Sequence, residues 1–240
     1  MRLSPLLFRR IHKWVGLVIG VQFVIWTISG ALMAVLDMET VAGGPRPAAV
    51  KPRALPFSTA GWPAVGRSLG SDPVTALTVR PLLARHVIEV GTPRGIRLFD
   101  GASGHRITID AAMARRLAQA GYAGAGAVRD VRLLTERTLA IREHSLPVWR
   151  VDFADGQNSS FYVSQTTGEL LERRNDTWRV WDFVWMLHNM DYLNRTSFNH
   201  PLIVIVGFGA VWLAITGLYL LFKTSWRPEL RLSRRMRKAR

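Results

Sequence analysis

Few residues in this chain can do chemistry. None of its 240 residues is cysteine, which excludes disulfides, thiolate metal sites, covalent c-type haem and cysteine nucleophiles. No HExxH, GxSxG, Walker loop or dinucleotide-binding glycine motif occurs. What remains is six histidines, His12, His86, His105, His144, His188 and His200. His188 lies on an aromatic stripe: Trp178, Trp181, Trp185, His188 and Tyr192 are three or four residues apart, a spacing that predicts one face of a helix over residues 177–193. His200 stands in Asn199-His200-Pro201, where the proline pushes the residue before it toward an extended backbone. His12 stands beside Arg9, Arg10 and Lys13. His86, His105 and His144 fall on predicted strands or loops and are given no metal role. Asp152, Asp155 and Glu169 are spread over a predicted hairpin without acid–base pairing and read as solvated surface.

The elements that must position these histidines begin with two apolar runs. Residues 14–36 and 201–222 carry no charge, and at about 1.5 Å per residue each is long enough to cross a hydrocarbon core of about 30 Å. A signal peptide is the rival reading of the first run, since Ala31-Leu32-Met33-Ala34 resembles a cleavage site. The run exceeds the usual apolar region of about 7–15 residues, which favours a retained span. Gly16 and Gly20 form a small-xxx-small pair for helix approach, and Gln22, Thr27 and Ser29 are polar groups best satisfied inside a helix bundle. Basic residues crowd outside both runs, in residues 1–13 and 223–240, and supply most of the formal net charge of +15. That asymmetry places both termini in the cytoplasm and residues 37–200 across the membrane, in a Gram-negative cell the periplasm. The basic tail is read as a topology determinant and anionic-lipid contact, with no role in binding nucleic acid.

Between the spans, residues 37–56 read as a Pro/Gly/Ala linker. A short helix from residue 57 to Gly70, capped by Ser58, precedes predicted strands at 74–80, 85–91 and 95–99 and a turn ending in Ser103-Gly104. The order then repeats: Asp110 caps a helix to about Ala120, strands follow at 128–134, 146–153 and 159–164, and a turn ends in Thr167-Gly168. The two turns lie 64 residues apart and indicate an internal duplication into units 57–108 and 109–174, each a helix on an antiparallel sheet. The expected fold class is membrane α plus periplasmic α+β.

Several ordered motifs together resemble the PepSY-associated transmembrane family. They are Arg10-Ile11-His12-Lys13-Trp14-Val15-Gly16-Leu17, Trp26-Thr27-Ile28-Ser29-Gly30, Leu146-Pro147-Val148-Trp149-Arg150-Val151 and Phe161-Tyr162-Val163 through Thr167-Gly168-Glu169. Near the end they are Trp185-Met186-Leu187-His188-Asn189-Met190-Asp191-Tyr192, Asn199-His200-Pro201 and Thr216-Gly217-Leu218-Tyr219. The resemblance implies a bacterial inner-membrane protein in which two transmembrane helices flank tandem PepSY-like units. Larger members resemble haem-bearing reductases of ferric siderophores with about four membrane helices, whereas this chain has two. A homodimer would restore a four-helix bundle.

The resemblance also implies b-type haem, with His12, His188 and His200 as the candidate ligands of the iron. Two imidazoles must sit on opposite faces of one porphyrin, and His12 is separated from the other two by the length of a span, about 35 Å. Two haems, one at each membrane face, would carry electrons to a periplasmic acceptor such as a ferric siderophore. For each residue a plainer role competes: a basic interfacial residue for His12, a member of an aromatic belt for His188, a helix cap for His200. The alternative for the whole protein is a non-enzymatic anchored module binding a periplasmic peptide or protein.

Overall fold

The computed structural model describes residues 5–47 and 58–222. The basic tail 223–240, and much of the linker, therefore lie outside the described residues. Two compact units are present, one of residues 1–35 with 182–240 and one of residues 36–181.

The first unit is built on two apolar helices, α1 (Pro5–Val35) and α6 (Pro201–Leu221). The apolar stretches Arg9–Val35 and Pro201–Leu221 are each long enough to cross a membrane. Their packing corrects one expectation. A Cβ on Gly16 would lie 3.7 Å from Leu213 Cδ2, but one on Gly20 would point into open space. The tight approach is instead at Gly209, where a Cβ would meet Ile19 Cδ1. A further helix, α5 (Asp176–Asn189), contributes its residues from Asp182 on and stops before Met190, whose φ is +55°. Tyr192, inside the helix expected over residues 177–193, therefore lies beyond the observed one and not on its face. Periodicity carried the expected face past a point where the backbone turns left-handed.

The second unit holds two antiparallel four-stranded sheets, in the order β1 (Ala76–Leu82), β2 (Arg85–Thr92), β3 (Gly95–Asp100), β4 (Arg106–Ile107) and β5 (Ala127–Leu134), β6 (Val148–Ala154), β7 (Ser160–Ser164), β8 (Leu170–Arg174). Each sheet has one strand more than the three predicted. A helix precedes each: α3 (Trp62–Leu69) and α4 (Ala111–Ala120). Asp110 caps α4 by accepting the Met113 N–H at 2.7 Å. Ser58 does not cap α3; Gly61 holds that position, Pro63 sits in the first turn, and Ser58 Oγ accepts from Ala60 N instead. The linker also contains structure. Asp37 caps a one-turn helix, α2 (Met38–Val41), accepting from Thr40 N at 2.7 Å.

Alternation along the strands makes both cores. Ile88, Val90 and Phe99 meet Val65 on α3, while Val87 and Leu98 face the other way, into a cluster with α4 residues Met113, Ala114 and Leu117 and with Val151, Phe153, Phe161 and Val163. The opposite face of the second sheet contributes Val148 and Tyr162 to a third cluster with Ile141 and Trp178. The twin turns match in backbone. Gly104 N–H donates to Asp100 O and Gly168 N–H to Ser164 O, at 2.8 and 2.9 Å, with φ of +72° and +71° at the glycines. That left-handed conformation is why glycine ends both turns.

Asp152 is another correction. It is 4% exposed, not solvated surface. Arg150 Nε at 2.8 Å and Ser160 Oγ at 2.6 Å donate to it, so its charge is compensated where it is buried. Asp155 is half-buried and holds the β6–β7 turn, accepting from Tyr122 OH, Gln157 N and Ser159 N. Glu169 is exposed.

Candidate functional site

The candidate site lies in the unit formed by α1, α6 and the end of α5, which carries His12, His188 and His200. His12 is half-buried on α1, with Nδ1 2.7 Å from Thr216 Oγ1 on α6 and its ring 6.2 Å from that of Trp212. His188, in the last turn of α5, places Nδ1 3.0 Å from Ser29 Oγ on α1. Trp26, one turn before Ser29, donates its indole N–H to the His188 carbonyl at 2.6 Å. Both hydroxyl residues are buried, Ser29 at 2% and Thr216 at 4% exposure. Each is also bonded back to its own helix: Ser29 Oγ to Ile25 O at 2.6 Å and Thr216 Oγ1 to Trp212 O at 2.9 Å.

His200 is placed differently. Its Nε2 is 2.7 Å from the Asn189 carbonyl at the end of α5, and its backbone forms the N-cap of α6. One residue thus satisfies an orphan carbonyl of one helix and opens the next. The loop between them is fixed by buried acids. Asp182, 2% exposed, receives Arg195 at 2.8 Å. Asp191 accepts backbone N–H groups of Asn194, Thr196 and Ser197. Burial opposes the Asp191 charge, but these N–H donors outweigh it and hold its carboxyl below the usual range. Trp185 meets Phe198 edge to face at 5.4 Å and closes the same loop.

His188 and His200 are thus tied to neighbouring residues, Asn189 lying between them in the network, while His12 stands apart. From residue 12 to residue 29, at about 1.5 Å per residue, is about 26 Å along α1. The other histidines lie in the second unit. His144 Nε2 is 2.9 Å from Glu172 Oε1, His86 is half-buried on β2, and His105 is exposed. Among the described residues no group of three or more His, Asp or Glu could hold a bare metal ion. An axial haem site asks for less: an imidazole with a free ring nitrogen on each face of the macrocycle. The donor set at both ends of the helix pair fits that demand, one imidazole at a time.

Sequence reasoning missed Ser29 and Thr216 as the partners of these imidazoles. The signal was a hydroxyl residue followed by glycine, Ser29-Gly30 and Thr216-Gly217, late in each span and one turn after a tryptophan.

Two apolar helices of membrane-crossing length, with a two-sheet α+β unit inserted between them, define a membrane protein with an extramembrane domain. A profile of the PepSY-associated TM region matches residues 9–240, and the chain belongs to that family. Searches of curated proteins and of solved structures returned no match.

Proposed function

We propose that this is an inner-membrane electron-transfer protein that holds b-type haem through His12 at one membrane face and His188, with or without His200, at the other. The observation that carries the reading is the pair of imidazoles about 26 Å apart along α1, each held by a buried hydroxyl of another helix. Imidazoles fixed by a hydrogen bond on one nitrogen are the usual form of metal-ligating histidine. Absence of cysteine makes the haem non-covalent. Bound haem supplies one-electron chemistry at each face. The chain's own part is to orient the ring nitrogens and, through the apolar flanks of α1 and α6, to keep water from them.

The basic residues Arg9, Arg10 and Lys13 at the start of α1 support cytoplasmic termini and a periplasmic domain made of two PepSY-like units. The acceptor is then periplasmic, a ferric siderophore being the class that the family resemblance implies. One chain offers one free imidazole per end. A homodimer supplies the second ligand at each face and completes a four-helix bundle in the bilayer.

The test is a reduced-minus-oxidised spectrum of the full chain in isolated membranes, with haem supplied during expression. A b-type α-band is expected, and His188→Ala lowers haem per inserted chain. A flat spectrum removes the reading and leaves the anchored peptide- or protein-binding module. Unchanged haem in His188→Ala moves the ligand to His200.

A further inference from the structure

What an imidazole can offer depends on which of its nitrogens carries the proton, and the hydroxyls here decide it. Ser29 Oγ lies 2.6 Å from the Ile25 carbonyl oxygen. Two oxygens so close need a proton between them, and only the serine has one. With that proton committed, Ser29 can only accept at its contact with His188 Nδ1. Nδ1 therefore bears the N–H, and Nε2 keeps the lone pair. Thr216 repeats the arrangement at the other end, bonded back to Trp212 O and facing His12 Nδ1. His200 is the reverse case: its Nε2 faces a carbonyl, which only accepts, so Nε2 bears the proton.

The glycine after Ser29 makes room for the ring, whereas the one after Thr216 only borders it. A Cβ on Gly30 would lie 3.3 Å from His188 Cε1, and one on Gly217 would lie 3.6 Å from His12 Cε1. Ser29-Gly30 and Thr216-Gly217 thus share a back-bonded hydroxyl to hold Nδ1–H, and at Gly30 a bare backbone also admits the ring edge.

We propose that these two pairs are imidazole cradles, that Ser29 and Thr216 are positioning residues which present Nε2 of His188 and His12 as the ligand atoms, and that His200 is a structural cap. The haem identity of the acceptor rests on the reading above; the tautomers do not. Nε2 is the atom a flat macrocycle can reach, because Nδ1 is crowded by the residue's own Cβ and backbone. An acceptor on Nδ1–H also makes the ligand more basic, which favours the oxidised iron.

The test uses the full chain in lipid bilayers. Nitrogen NMR of the 15N-histidine-labelled protein without added haem should show His12 and His188 protonated at Nδ1 only and His200 at Nε2, assigned with His12→Gln, His188→Gln and His200→Gln. Ser29→Ala should change the His188 signal alone, and Ser29→Thr should preserve it. With haem bound, Ser29→Ala should raise the midpoint potential of one centre and leave the other, with Ser29→Thr restoring it. An Nε2–H signal at His188 or His12 in the unaltered protein overturns the proposal, as does a Ser29→Ala protein with unchanged tautomer and potential. The expected tautomers in a chain that takes up no haem would remove the haem reading and leave the cradles standing.

Discussion

The two units of this protein are built in opposite senses. In the sheet unit Phe99, Phe153 and Phe161 are at most 1% exposed, and most charges lie outside. In the helix pair Val18, Val35 and Phe208 are 72%, 79% and 74% exposed to what would be lipid, while Ser29 and Thr216 are buried. Water drives the first arrangement. Lipid tails, as apolar as leucine, cannot drive the second, which relies on close approach and on hydrogen bonds between helices. Deleting apolar bulk should therefore damage the sheet unit most, whereas removing a polar or small residue should damage the helix pair.

The largest expected effect is Phe153→Ala. Its ring is fully buried, stacked on Tyr122 at 4.0 Å and edge-on to Phe161 at 5.1 Å. The loss should be about 3–5 kcal/mol, read by denaturant unfolding of the full chain in detergent. Leu213→Ala, at the helix interface, should cost clearly less; an equal loss would break the contrast.

Next is Asp182→Ala, which leaves the Arg195 charge without its partner. About 3 kcal/mol is expected, seen as new tryptic cleavage after Arg195. Gly209→Leu should follow at about 1–3 kcal/mol through overpacking against Ile19, measured as reduced cross-linking between α1 and α6. Asp110→Ala removes one cap from α4, and a loss of about 1 kcal/mol should appear in the same denaturant titration.

The smallest effect separates the twin turns. Asp100 accepts the N–H groups of Ser103 and Ala102, which, with Arg85 nearby, hold its carboxyl below the usual range against a counteracting burial. Because the folded value is depressed, the stabilisation is present above the unfolded value and is lost as pH falls through the folded one. At the matching position Ser164 accepts from Thr166 N and Thr167 N with a hydroxyl that does not titrate. Acidification below pH about 4 should lower the amide protection of Ala102 and Ser103, relative to intrinsic exchange at the same pH, and leave that of Thr166 and Thr167 unchanged.

Much of this was legible where the signal is local. The two apolar runs, the Asp110 cap and the glycine-ended turns announce themselves within a few residues. β4 is only two residues long, and β8, Leu-Leu-Glu-Arg-Arg, is half-buried along its whole length; neither shows alternation. Asp152 was misread because its compensation depends on Arg150 and Ser160 pointing to one face across a strand pair. The histidines were legible as candidates, but their partners were not. Ser29 is 159 residues from His188, and Thr216 is 204 from His12, so no local pattern joins them.

Each imidazole is gripped by a helix other than its own. α1 is bonded to α6 at one end, through His12, and to α5 at the other, through Ser29. A lone helix in a bilayer can spin about its axis at little cost. α1 is pinned at both ends to different neighbours, and a turn of about 100°, one residue's worth, would tear both pins loose at once. The bonds that orient the rings thus also act as a torsional lock on α1.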